Sequence, residues 1–253
     1  MRRHTLEKPT LSSFLEIIEN EPAGSRHLFR GQGNAEWKLL PSLYRRENVP
    51  YGGESLKQEF DYFENDCINR FFNEGLPYLP ALPRSYSNDR ILAQHFGVPT
   101  RLLDWSRDPF VAAYFAVERW KDKCDAAIYM LLPDAMFLPE EVKNFDNYKA
   151  IEMVPPAIDR RIPAQKSVFT YHPYGRADAP FAPLDDRVDM GNQVTTNDNG
   201  LTRGFAKIII PANMKSIILS HLLQMGIDRR NLFPGLDGVG ADIAMRMEVG
   251  GLK

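Results

Sequence analysis

The polar residues at the end of a short extended segment are the first candidates for chemistry in this sequence. The tripeptide Asp104-Trp105-Ser106 ends a stretch that begins at Thr100, and Asp108-Pro109 then has the pattern of a helix N-cap followed by proline at the first helical position. Polar side chains that face the start of a helix in this way often build a small-molecule site. In the alternative, structural interpretation, the acid and the serine cap the helix and the tryptophan fills the core.

Arg30 is a second candidate, because it lies at the end of a predicted strand and is followed by Gly31 and Gln32. A guanidinium at such a position can bind a phosphate or a carboxylate through two parallel hydrogen bonds. The glycine would let a ligand approach the backbone closely. The alternative is a structural arginine that ties down a loop.

Further candidates have equally plain alternatives. Gln94 and His95 lie near the end of a predicted helix, where the histidine can simply complement the helix dipole. Arg161, with Arg160 before it, fits a solvated basic turn, and Gln165 fits a hydrogen-bonded core amide.

Composition excludes several classes of function. The chain has 253 residues, 43% hydrophobic and 25% charged, with a net charge of −2, so no global field draws it to nucleic acid or to a membrane. Its two cysteines, and histidines without ligand spacing, predict no disulfide framework and no metal site. There is no phosphate-binding glycine loop, no signal-peptide pattern, and no run near the ~18 apolar residues of a membrane helix. We therefore expect a cytoplasmic protein without a membrane partner.

The hydrophobic patterning predicts an α+β fold in a single domain, with a mixed central sheet flanked by helices. The helices expected from period and caps are 11–18, 56–74, a segment capped by Asn88 or Asp89 and ended by Gly97, 109–117, 214–225 and a short closing helix after Gly238. The strands expected are 27–32, 126–132, 151–154, 168–171 and 207–210. Residues 134–147 read as a polar excursion with a short helix. Residues 174–203 read as a loop-rich surface excursion that could act as a lid.

An ordered set of motifs resembles the FRG domain, which is named for its Phe-Arg-Gly. The motifs are Phe29-Arg30-Gly31-Gln32, Trp37, Leu40-Pro41-Ser42-Leu43, the run from Gln94 to Ser106, Pro109, Ala112-Ala113, Phe115-Ala116, Arg161, Gln165, Phe169, Leu232-Phe233-Pro234 and Leu236-Asp237-Gly238. The resemblance implies an FRG domain over 26–243, preceded by a helical lead-in at 1–25 and followed by a tail at 244–253. FRG proteins look like bacterial accessory proteins associated with phage defence.

A second resemblance is to ADP-ribosyltransferases. They place an aromatic-Arg-Gly on the first core strand, as in Phe29-Arg30-Gly31, and later a Ser-Thr-Ser turn, for which this chain has Asp104-Trp105-Ser106. The resemblance implies a split sheet, with NAD as a possible substrate and no bound cofactor. The catalytic glutamate of that superfamily has no evident counterpart, because Gln165 stands nearest to its place. A glutamine supplies no negative charge, so either Asp104 takes over that role or the site only binds a nucleotide.

Two hypotheses follow. In the first, the chain is an enzyme that binds NAD or a related nucleotide and transfers ADP-ribose to an unknown protein or RNA acceptor. Its catalytic residues are Arg30 on phosphate, Asp104 as the base or orienting carboxylate, and Gln165, while Trp105 stacks on a ring. The expected ligand-binding residues are Phe29, Gly31, Gln32, Gln94, His95, Thr100, Arg101, Trp105, Ser106 and Arg161. In the second, the same cleft belongs to a non-catalytic module that senses a nucleotide or binds RNA or protein.

Overall fold

One mixed sheet organises the part of the chain that the computed structural model describes. The described residues are 2–21, 27–45, 54–79, 84–133, 135–137, 151–153, 155, 159–172, 183–187 and 205–249. Within these ranges eight strands form the sheet, and helices flank it. The strands are β1 (Arg2–Thr5), β2 (Leu28–Gln32), β3 (Leu102–Ser106), β4 (Ala126–Leu131), β5 (Ala135–Phe137), β6 (Ile151–Met153), β7 (Ser167–Tyr171) and β8 (Phe205–Ile210). The predicted α+β class with a mixed central sheet flanked by helices is confirmed.

The helices cover both faces of this sheet and the ends of its strands. They are α1 (Leu11–Glu19), α2 (Glu54–Glu74), α3 (Tyr86–His95), α4 (Pro109–Val117), α5 (Arg161–Ala164), α6 (Leu184–Arg187), α7 (Lys215–Gln224), α8 (Arg229–Leu232) and α9 (Leu236–Val249). Among the described residues, no helix combines the length and the apolar character that a membrane crossing requires.

The strand order is β1-β8-β4-β2-β3-β7-β6-β5. The two outer pairs, β1 with β8 and β5 with β6, are parallel, and the other neighbours are antiparallel. Strands from both ends of the chain therefore share one sheet. The first 25 residues contribute strand β1 as well as the expected helix, so they are more than a helical lead-in.

Two apolar layers sandwich the central strands. On one face, α4 packs against β2 and β4 with Phe29, Val111 and Ile128 in the shared core. On the other face, Leu28, Tyr129 and other side chains of alternate strand positions form a second core. Because successive residues of a strand point to opposite faces, each central strand contributes to both layers.

Local sequence signals account for the end of α3 and the start of α4, the helices that precede and follow β3. Gly97 ends α3 with φ +87°, a conformation that glycine adopts without steric strain. Asp108 caps α4 by accepting the Phe110 N–H at 2.8 Å, and Pro109 begins that helix as predicted. The predicted cap of α3 is wrong, because Ser85 accepts the Asn88 N–H at 3.1 Å and the helix begins earlier.

Three predictions about loops and termini also need correction. Residues 135–137 form β5 within the segment expected to hold a helix, and the rest of that segment lies outside the described residues. The excursion at 174–203 is described only at 183–187, where α6 puts Leu184 in the second core, because that apolar side chain gains more from burial than from solvent. The closing helix α9 runs to Val249, so most of the expected tail is helical.

Candidate functional site

A cleft of about 950 Å³ lies where the two halves of the sheet join. β2 pairs with β4, and β3 with β7, along their lengths, but β2 and β3 share the single registered pair Phe29 with Ser106. Residues from both sides of this join line the cleft. Its volume is within the roughly 300–1,000 Å³ typical of small-molecule sites.

The structure brings most of the predicted site residues to this cleft. Those that line it are Phe29, Arg30, Gly31, Gln32, Gln94, His95, Asp104, Trp105, Ser106, Arg161 and Gln165. Arg30, Asp104 and Gln165, the three residues predicted to be catalytic, all line this one cavity.

Arg30 places a buried cation on the cleft. Its side chain is 14% exposed, and its Nη1 donates a hydrogen bond to the Asp104 carbonyl at 2.5 Å while lying 3.8 Å from the Asp104 carboxylate. Burial lowers the pKa of the guanidinium to about 10; Asp104 opposes this and Arg45 adds to it. Arg30 is thus still charged at neutral pH. Its Nε is buried without a hydrogen-bond partner among the described residues, so a donor remains unsatisfied.

Asp104 presents a carboxylate to the cleft from the middle of β3, with 57% of its side chain exposed. Gln94 Nε2 donates to its Oδ2 at 3.0 Å and to the Leu102 carbonyl at 3.2 Å. Thr100 Oγ1 donates in turn to Gln94 Oε1, which fixes the amide orientation. Gln94 and Thr100 therefore position the carboxylate, and Thr100, fully buried, is not a cleft-lining residue.

Arg101 does not belong to the cleft either. Its Nε donates to the fully buried carboxylate of Glu64 at 2.8 Å, and its Nη1 donates to the Tyr171 hydroxyl at 2.8 Å. The predicted ligand contact is wrong, because a buried carboxylate on α2 already binds this guanidinium.

Trp105 is a second correction. It packs with Leu103 and Leu28 in the second core, and its indole N–H donates to Thr170 Oγ1 at 2.8 Å. The ring is buried, so the predicted stacking on a ligand ring is wrong.

Gly31 has a different purpose from the predicted close approach of a ligand. A Cβ atom there would lie 1.9 Å from the Ala112 carbonyl oxygen and 2.6 Å from the Ala116 backbone nitrogen. The absent side chain makes room for α4 against β2, which is a packing requirement.

Ser106 and Gln165 hold the cleft wall together. Ser106 Oγ donates to the Gln165 carbonyl at 2.7 Å and accepts the Asp108 N–H at 2.9 Å. Gln165 Nε2 donates to the Leu232 carbonyl at 3.0 Å. These bonds join the β3–α4 turn to the turn before β7 and to α8.

Part of the chain that builds this cleft is similar to a known protein family. Residues 25–125 match the family model of the FRG domain. Over these residues the chain is similar to the FRG domain. No curated protein and no solved structure matches the chain. The second resemblance, to ADP-ribosyltransferases, gains no support from these comparisons, and its split sheet stays a prediction.

The segment matched by the FRG family carries β2, β3 and α4, and with them Arg30, Gln94 and Asp104. Arg161 and Gln165 lie beyond it but line the same cleft. Strands β7 and β8, which also follow it, pair with β3 and β4. The wider boundary of 26–243 stays a prediction.

Several residues that line the cleft were not predicted from the sequence. They are Gly33, Trp37, Lys38, Leu40, Arg45, Ala112, Phe115, Glu118, Arg119, Ser167 and Phe233. The available signal for Trp37, Lys38 and Arg45 was their place in the 13 residues that follow the strand with Arg30, because a cationic and aromatic stretch there remains near that strand. Glu118 and Arg119 follow an otherwise apolar helix, so their polar side chains mark where it leaves the core.

Glu118 is a second carboxylate on the cleft, and Arg229 is its cationic partner. Arg229 Nη1 donates to its Oε2 at 3.1 Å. Burial raises the pKa of Glu118, while Arg229 and Arg119 oppose that rise. Asp104, with 57% of its side chain exposed against 25% for Glu118, is the more accessible carboxylate of the two.

His95 at the edge of the cleft gives a testable pH dependence. Burial lowers its pKa from the ordinary 6.5, the Arg161 guanidinium acts in the same direction, and the Asp159 carboxylate, 3.2 Å from Nε2, opposes both. The folded state then binds this proton less tightly than the unfolded state does. The His95 contribution to the free energy of unfolding is therefore complete above about pH 6.5 and falls as the pH drops through the folded pKa.

An NMR titration of the histidine ring signals measures this directly. We expect His95 to titrate below 6.5, Arg161→Gln to raise its pKa and Asp159→Asn to lower it further. A wild-type value at or above 6.5, or the same direction of shift in both variants, would contradict the electrostatic assignment.

Proposed function

We propose that the cleft binds a phosphate-bearing nucleotide, with NAD as the first candidate, and transfers ADP-ribose from it to a protein or RNA acceptor. The observation that carries the proposal is the buried Arg30 guanidinium, whose Nε has no hydrogen-bond partner among the described residues. A buried donor of this kind is stabilised by an anionic ligand. A part in bacterial defence or toxin action belongs to the proposal and rests on the family resemblance alone.

The charges around the cleft favour a diphosphate. The lining cations are Arg30, Lys38, Arg45, Arg119 and Arg161, against the carboxylates of Asp104 and Glu118. Lys38, Arg119 and Arg161 each form an ion pair with a nearby aspartate. Arg45 has no ion pair within the described ranges, and its charge lowers the Arg30 pKa. Both guanidinium groups line the cleft, so a bound anion would relieve their repulsion.

Asp104 is the residue that we assign to the transfer step. The bond between ribose C1′ and the nicotinamide nitrogen breaks, and its electron pair goes to the nicotinamide, which leaves neutral. An oxygen or nitrogen of the acceptor forms the new bond to C1′, and its proton moves to the Asp104 carboxylate. The negative charge of Asp104 also stabilises positive charge that develops on the ribose.

A non-catalytic nucleotide sensor is the second candidate. The observation that favours it is Gln165, an uncharged side chain whose amide is bound to the cleft wall. This function uses the same binding residues and omits the transfer.

Thermal unfolding with and without NAD, together with chromatography of the nicotinamide released when total bacterial protein and RNA are added as acceptors, tests the proposal. At 100 times the dissociation constant we expect NAD to raise the wild-type midpoint by roughly 5–10 °C. Arg30→Ala should abolish the shift, while Asp104→Asn should keep the shift and lose nicotinamide release. Arg70→Ala removes an exposed arginine of α2 and should behave as the wild type.

Each other outcome overturns part of the proposal. A shift without nicotinamide release in the wild type would make the protein a sensor. The absence of a shift with both NAD and ADP-ribose would exclude this nucleotide from the cleft. Arg30→Lys, which keeps a charge but loses the planar fork, should retain a reduced shift and guards against a folding defect of the alanine variant.

A further inference from the structure

The cleft has an aromatic surface that the proposed function does not yet use. Trp37 lines the cleft with 46% of its surface exposed. Its backbone is fixed at two points, because its N–H donates to the Asn34 carbonyl at 3.3 Å and its carbonyl accepts the Tyr129 hydroxyl at 3.3 Å. The indole therefore stands on an ordered backbone while its surface remains accessible.

Tyr129 also relates this indole to Arg30. Tyr129 lies directly opposite Arg30 in the β2–β4 ladder, so the two side chains leave the same face of the sheet. Since the Tyr129 hydroxyl reaches the Trp37 carbonyl, one tyrosine side chain spans the distance from the Arg30 register to the Trp37 backbone. Arg30 and Trp37 also line the same cleft, so a ligand with phosphate at Arg30 can extend to this indole.

The other two tryptophans are unsuitable for stacking. The Trp105 ring is buried with its N–H bound to Thr170. Trp120 packs against the core on the α4 face. Of the chain's three tryptophans, Trp37 is therefore the one whose ring is accessible from the cleft.

A guanidinium lies beside the same indole. The central carbon of the Arg119 guanidinium is 5.8 Å from the Trp37 ring centroid, and Arg119 Nε contacts the Asp122 carboxylate at 2.8 Å. Indole faces and guanidinium planes both stack on nucleobases. The pair offers a planar, π-rich ligand group two flat surfaces.

We propose that Trp37, with Arg119 beside it, is the platform on which the purine ring of the bound nucleotide stacks. The proposal rests on the nucleotide site proposed above and adds its base subsite. In this arrangement Arg30 and Arg45 bind phosphate and Trp37 binds the base, so ligands that lack a base lose only the second contribution.

Titrations with ADP-ribose and with inorganic pyrophosphate, followed by calorimetry, separate the two subsites. We expect Trp37→Leu to weaken ADP-ribose binding roughly 5- to 150-fold and to leave pyrophosphate binding unchanged. Trp37→Phe keeps a smaller ring and should give an intermediate loss. Arg30→Ala should weaken both ligands. Tyr78→Leu, at an exposed aromatic residue that does not line the cleft, should change neither.

Fluorescence gives a second readout. AMP should quench the emission of the wild type and not that of Trp37→Leu, whose unfolding midpoint without ligand checks that it is folded. If Trp37→Leu binds ADP-ribose as tightly as the wild type while Arg30→Ala does not, the platform is overturned and the nucleotide site stands. If the wild type binds neither ADP-ribose nor pyrophosphate, both proposals fall.

Discussion

Replacing Glu64 by glutamine is expected to lower the free energy of unfolding by about 3–5 kcal/mol, because two buried arginines lose their shared counter-charge. Glu64 is fully buried on α2. Its Oε2 accepts from Arg101 Nε at 2.8 Å and from Arg90 Nε at 3.1 Å, and its Oε1 accepts the Arg101 backbone N–H at 2.8 Å. Both arginine side chains are themselves buried, so water cannot replace the lost charge.

Urea unfolding followed by circular dichroism measures this change. Asp66→Asn is the matched control, since it makes the same type of substitution in the same helix but in an exposed pair with Arg70. That pair should contribute at most about 0.5 kcal/mol. Equal losses in the two variants would show that burial of the Glu64 network adds nothing.

The Glu64 network also explains why Arg101 was misjudged from the sequence. Glu64 lies 37 residues before Arg101 in the chain, and no local pattern connects the two. Arg101 comes directly before β3, a strand with polar residues near its end. Without knowledge of Glu64, an arginine at this position resembles a ligand-binding residue. Its actual effect on the site is indirect, because it anchors the start of β3, the strand that presents Asp104.

Local signals, in contrast, were sufficient for several elements. The uninterrupted apolar run of β4 predicted a fully buried strand, and all of its residues are buried. The Asp108-Pro109 pair predicted the start of α4, and Gly97 predicted the end of α3. Strand β1 could not be found in this way, since Arg2–Thr5 has no apolar alternation and becomes a strand through its pairing with β8.

The burial of Trp105 depends on more than the alternation of residues along its strand. In a strand, residues two apart share a face, so Trp105 lies with Leu103 and opposite to Asp104 and Ser106. Both faces of β3 carry a leucine, Leu103 on the Trp105 face and Leu102 on the Asp104 face, so alternation does not decide which face is buried. In the structure every residue of β3 except Asp104 is buried.

Gly31 shows what the sequence could not supply. Its Phe-Arg-Gly motif suggested a ligand near the backbone, but the backbone that approaches it belongs to α4, about 80 residues later in the chain. Contact between a strand and a helix so distant in sequence is a product of the completed fold. The motif therefore has two roles: Arg30 provides a cation on the cleft, and Gly31 lets α4 pack against β2.

Gly31→Ala is accordingly expected to lower the free energy of unfolding by at least about 3 kcal/mol, the upper end of the usual range for overpacking. The new methyl group would lie 1.9 Å from the Ala112 carbonyl oxygen, and that backbone atom cannot rotate away as a side chain could. Relief requires α4 to move off β2, which opens the core around Phe29 and displaces Arg30. We therefore expect the stabilisation by NAD to fall as well.

Gly240→Ala is the matched control for this prediction. Gly240 lies inside α9, and a Cβ atom there meets no atom within 4 Å. The same substitution should then stabilise the protein by roughly 0.5–1 kcal/mol, because alanine loses less backbone entropy than glycine when a helix forms. If Gly31→Ala lowers the free energy of unfolding in urea and Gly240→Ala raises it, the packing of α4 against β2 is what requires glycine at position 31. A Gly31→Ala protein within about 0.5 kcal/mol of the wild type would show that α4 does not rest on this glycine.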